Sequence, residues 1–162
     1  MLPTILDFEA SGFGFDSYPI EVGIALSDGG RFCPLLTPPE EWSHWDESAQ
    51  QVHKIHPRDL HSHGQPPVQV CARLNALLGD QIVYSDGWVV DKPWLAKLYA
   101  EAGMEPNFQL SPLESIQSEA QQQIWADTKD EILKTLAFER HRARKDALLI
   151  QKTFQETRRL VQ

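Results

Sequence analysis

At 162 residues the chain has the length of one domain, able to bury roughly 70% of the surface its unfolded form exposes, so it folds without the staples small scaffolds need. A hydrophobic fraction of 41% and a charged fraction of 23% exclude a disordered chain, and no apolar run nears the roughly 20 residues of a membrane span. The formal net charge of −8 argues against a general nucleic-acid coat, yet residues 129–162 hold nine Lys or Arg against five acids; such an end can attract phosphate, although an ordinary solvated helix face has the same composition.

The first predicted elements are strands. Residues 4–9 and 20–26 alternate and carry β-branched side chains, as a pleated sheet requires. Asp28-Gly29-Gly30 tolerates positive φ, so residues 31–36 should return as an antiparallel partner, with Pro34 at an edge. Residues 37–65 form a long connection rich in Pro, His and Trp, with one helical candidate at 47–55.

Pro66-Pro67 opens an amphipathic helix that places Val70, Leu74, Leu77 and Leu78 at helical spacing and stops at Gly79. A short strand at 81–85, a turn at Asp86-Gly87 and a helix at 90–102 follow, and two or three helices fill 112–162 with a connection near Arg140. The pattern predicts a single α/β domain over 1–162, a mixed sheet flanked by helices. The distant Cys33 and Cys71 match no disulfide framework, and no basic-then-apolar segment precedes Asp7. The expectation is a reduced, cytoplasmic setting and no membrane.

Asp7 and Glu9 fall on one side of the first strand. Paired carboxylates repel unless a cation lies between them, but an acid-x-acid pair alone fits an exposed strand edge equally well. Asp91 sits in the first turn of its helix, where an acid also simply complements the helix dipole. His141 precedes Asp146 by five residues near the start of the last helix, a spacing with little meaning by itself. His44, His53, His56, His61 and His63 match none of the usual zinc patterns.

Taken together, these residues resemble the DEDDh group of 3′-to-5′ exonucleases, which includes proofreading exonuclease subunits, ribonuclease T and oligoribonuclease. The first motif of that group matches Leu6 to Gly12, the second Val83 to Leu95, and the third, His-x4-Asp, matches His141 to Asp146. The resemblance implies a ribonuclease-H-like fold and two Mg²⁺ or Mn²⁺ ions held by Asp7, Glu9, Asp91 and Asp146, with His141 as general base on the attacking water. It implies single-stranded DNA or RNA 3′ ends as the partner, and nucleoside 5′-monophosphates as product.

By the same resemblance Val52-His53-Lys54-Ile55 matches a His-x-Ile element, which assigns His53 and Ile55 to the terminal nucleotide's pocket, and Ser11 and Gly12 would bring backbone close to that nucleotide. Phe13, Phe15 and Trp88 flank the site and suit either base stacking or the core; the other tryptophans suit the core. The second motif departs from the family, with Ser85-Asp86 where many relatives carry His-Asn. Relatives include dimers, so a homodimer is compatible. The alternative reading is a catalytically weak or inactive nucleic-acid-binding or interaction module on the same fold.

Overall fold

Alternating apolar residues in the first third of the chain make a sheet with two covered faces. The computed structural model of the protein describes residues 1–136 and 143–162. Strand β1 (Ile5–Ala10) pairs antiparallel with β2 (Pro19–Ala25), and β2 pairs antiparallel with the two-residue β3 (Arg31–Phe32). On its other side β1 pairs parallel with β4 (Ile82–Ser85), and β4 parallel with β5 (Gln109–Pro112), giving the order β3-β2-β1-β4-β5. The mixed α/β sheet expected from sequence is therefore present.

One face carries Leu6, Phe8, Val22 and Ile24 against helices α3 (Pro67–Leu78) and α4 (Trp88–Ala102), through Val70, Leu74, Leu95 and Leu98. The opposite face carries Ile5 and Ala25 against α7 (Ala143–Leu160), through Ala147, Ile150 and Phe154. Because both faces are covered, β2 is buried at every position. Gln151 of α7 adds a polar anchor, its Nε2 donating to the carbonyls of Pro3 and Leu26 at 2.9 Å each. Helices α5 (Glu119–Gln123) and α6 (Trp125–Leu136) precede α7 in the chain and pack against it.

Three expectations need correction. The strand predicted at 31–36 is regular only over Arg31–Phe32, because Pro34 cannot donate to a ladder; the chain still runs beside β2, with Val22 N donating to Pro34 O at 3.1 Å and Leu36 N to Ile20 O at 2.9 Å. The helical candidate at 47–55 becomes α1 (Glu47–His53), ended by the left-handed Lys54 at φ 61°. The long connection holds a further helix, α2 (Pro57–His63), started by Pro57, with Asp59 Oδ2 accepting from His56 N at 2.9 Å. Among the described residues no helix is long and apolar enough to cross a membrane.

Candidate active site

Strand alternation builds the first half of the site. Ile5, Asp7 and Glu9 form one row on the α7 face, while Leu6 and Phe8 point to the other layer. Since Ile150 and Phe154 pack with Ile5, Asp146, one turn ahead of Ile150, comes opposite the acids further along β1. Oxygen atoms of Asp7, Glu9 and Asp146 all lie within 4.8 Å of one another. Glu21 stands directly across from Glu9 on β2 and is 1% exposed, so a further acid borders the cluster.

Charges this close repel, and the repulsion is visible at Asp7. Its carboxyl is pushed well above the ordinary carboxylate range, first by burial and then by Asp91, Asp146, Glu9 and Asp86. Asp7 keeps some solvent contact on the groove side; the dense packing of its other sides makes burial the leading cause.

Helix α4 supplies the fourth acid. Asp91, in its first turn and 4% exposed, accepts from Ser85 Oγ at 2.5 Å and from the Phe8 amide of β1. Burial raises its pKa to about 7; the two hydrogen bonds pull downward and the charge of Asp86 adds to the rise. Ser85 Oγ also accepts from Gly87 N at 3.0 Å, which ties the turn to the start of α4. Asp86 Oδ2 faces away to Lys129 Nζ of α6 at 2.9 Å.

These shifts fix a pH dependence. The metal-free folded state holds a proton on Asp91 between the unfolded carboxylate value and about pH 7, where the unfolded chain has released it, and burial with the neighbouring acids shifts Asp7 in the same direction. Stability from this source is therefore greatest at the acidic end and falls as pH rises through the window. In chelator, melting temperature relative to Asp91→Asn should decline from about pH 5 to about pH 8; a flat difference would contradict the assigned shift.

Asp7, Glu9, Asp91 and Asp146 line one groove of about 460 Å³, together with Gly12, Phe13, Val52, His53, Val90 and Trp94. A larger hollow of about 560 Å³ lies between α6 and α7 around Ile132 and Leu160, but the convergent ligand set is in the smaller groove. Its walls combine these acids with apolar side chains. Phe13 is 79% exposed, and Val52 and Val90 are exposed too. His53 is buried, and its Nδ1 accepts from Ile55 N at 3.0 Å, so a neutral ring carries its proton on Nε2.

The remaining sequence-assigned residues lie elsewhere. Ile55, 2% exposed, packs with Tyr18, Ile20 and Leu60 and does not line the groove. Ser11 is buried beneath it, bonding His44 Nδ1 at 2.9 Å and accepting from Tyr18 N at 3.0 Å. Phe15 is fully exposed outside the lining, whereas Trp88 packs on the core and donates to Leu110 O. His141 lies outside the described residues. Trp94, read from sequence as structural, lines the groove while donating to Ser17 Oγ at 3.2 Å. Lys129 went unrecognised, because nothing in sequence links it to a turn 43 residues away.

Gly12 has a definite steric reason. A Cβ there would come within 2.8 Å of Asp46 Cβ and 2.7 Å of His44 Cε1, in the segment held by Asp46 N donating to Ser11 O at 2.9 Å. Gly12→Ala should therefore cost about 1–3 kcal/mol through overpacking. Thermal melting checks this, and an unchanged melting temperature would mean the segment yields freely.

Three convergent carboxylates, with Asp91 in the same groove, are an all-oxygen donor set, which suits a hard divalent cation, and the repulsion at Asp7 is what such an ion would relieve. Among the described residues, the one metal-competent group of three or more includes no histidine, so the His-rich connection gathers no zinc set there.

No protein-family model and no curated protein matches the chain. Solved structures do share its fold. Exonuclease I of E. coli in complex with a dA16 oligonucleotide superposes with a TM-score of 0.67 at 12% identity, over 93% of this chain and 39% of that one. A product-bound exonuclease I gives 0.68 at 13%, over 94% and 42%. The zinc-bound form of the E. coli exonuclease I complex with single-stranded DNA gives 0.57 at 14%, over 70% and 28%. The chain thus spans less than half the length of these proteins, and the likeness shows that it shares their fold.

Proposed function

We propose that residues 1–162 form a metal-dependent 3′-to-5′ exonuclease domain acting on single-stranded DNA or RNA ends and releasing nucleoside 5′-monophosphates. The observation that carries this reading is the convergence of Asp7, Glu9 and Asp146 within 4.8 Å, with Asp91 in the same groove. These four acids would hold two Mg²⁺ or Mn²⁺ ions. Bound there, the ions would supply Lewis acidity at the scissile phosphate.

The chain's own side chains divide the remaining work. The apolar walls from Phe13, Val52, Val90 and Trp94 give a nucleobase a surface to pack on, with its phosphate beside the acids. His53 lines the groove where the terminal nucleotide would sit, and Gly12 lets backbone approach it. Ser85 holds Asp91 in one rotamer through the 2.5 Å bond. His141 would take the proton from the attacking water.

The test is a panel of end-labelled DNA and RNA oligonucleotides, single- and double-stranded, incubated with Mg²⁺, Mn²⁺ or chelator. Shortening of single strands from the 3′ end, dependent on metal, is expected. Binding without shortening in every condition would favour the inactive binding module instead.

A further inference from the structure

The turn after β4 carries an acid more than the ligand set requires. Asp86 follows Ser85, the residue bonded to Asp91, and precedes Gly87, which lines the groove. Its charge is felt at both Asp7 and Asp91. Left uncompensated, it would draw cations toward the groove and repel a phosphate chain.

Lys129 answers that charge from α6. Its Nζ is 2.9 Å from Asp86 Oδ2, and the two side chains are 23% and 22% exposed, so the pair is partly withdrawn from solvent screening. The hollow behind Asp86 is lined by Leu113, Glu114, Gln117, Gln122 and Trp125, none of them cationic.

We propose that the Asp86–Lys129 ion pair is a charge balance for the groove: Lys129 holds the extra carboxylate away from the ligand acids and offsets its field, setting divalent-cation affinity against affinity for the anionic strand. This rests on the exonuclease reading above. Neither residue touches the reacting atoms; both act through the field at Asp7 and Asp91.

A tether between α6 and the turn would use the same contact, but it differs in sign. For a charge balance, Lys129→Met should tighten Mn²⁺ binding about three- to tenfold and raise KM for a single-stranded oligonucleotide, while Asp86→Asn should loosen Mn²⁺ by a similar factor and lower KM. The double variant should return both quantities to within about twofold of wild type, and Lys129→Arg should resemble wild type. Calorimetric Mn²⁺ titration and initial rates read these values, with melting curves verifying the fold. Single variants that shift Mn²⁺ affinity in the same direction, or a double variant no better than the worse single, would overturn the proposal in favour of a tether. If Mn²⁺ binds wild type no better than Asp7→Asn, the exonuclease reading itself fails, and the balance with it.

Discussion

Asp7→Asn should lose exonuclease activity by roughly 10²–10⁴-fold, the several kcal/mol that metal-supplied charge stabilisation is worth at the transition state. The fold should survive, because the substitution keeps the side chain's size in a strand whose other residues supply the core. The metal-free variant should even melt higher than wild type at neutral pH, since Asp7 is where the charges of Asp91, Asp146, Glu9 and Asp86 converge. Adding Mn²⁺ should raise the melting temperature of wild type by mass action and leave the variant almost unmoved. Equal stabilisation of both proteins by Mn²⁺ would remove Asp7 from the ligand set.

His141→Ala separates rate from binding. A general base contributes about 10²–10⁴-fold, so turnover should fall by that factor while Mn²⁺ affinity and oligonucleotide binding stay near wild type. An imidazole ordinarily titrates near 6.5, and it must be neutral to accept a proton. Wild-type activity should therefore rise with pH through that region, and the residual activity of the variant should lack this limb. An unaltered acidic limb with near-normal turnover would mean that another group takes the proton.

Periodicity places the acids on their strand and helices, and the family resemblance is what joins them into one site. Asp7 and Glu9 alternate with buried Leu6 and Phe8, and Asp91 opens a helix whose Leu95 and Leu98 repeat at helical spacing. What periodicity could not carry was tertiary. Strand β5 has one buried residue, Leu110, and exists because β4 offers an edge to pair with; four residues reading Gln-Leu-Ser-Pro hold no strand signal of their own. Helix α2 did leave a signal in Pro57 and Asp59, masked by the surrounding prolines and histidines.

The groove shows the same division. Its acids follow from motif positions, whereas its apolar lining is assembled from Phe13 after β1, Val52 on α1, and Val90 and Trp94 on α4. Phe13 stands out through its place after the first motif, whereas Val52, Val90 and Trp94 read as ordinary apolar residues of their own segments. The assignment of His53 and Ile55 as a pair illustrates the limit, since one lines the groove and the other enters the core through a two-residue reversal that ends α1 at Lys54. Likewise, the partner of Asp86 comes from α6, where Lys129 lies 43 residues further along the chain.

On the proposed function, this groove removes nucleotides from a free 3′ end with metal held by its acids. A time course on a 5′-labelled single-stranded oligonucleotide tests it most directly, run with Mn²⁺ or chelator and with the 3′ end free or blocked. The expected result is a ladder of progressively shorter 5′-labelled products that needs both Mn²⁺ and a free 3′ end; full-length strand retained in every lane, or cleavage indifferent to the blocked end, would contradict it.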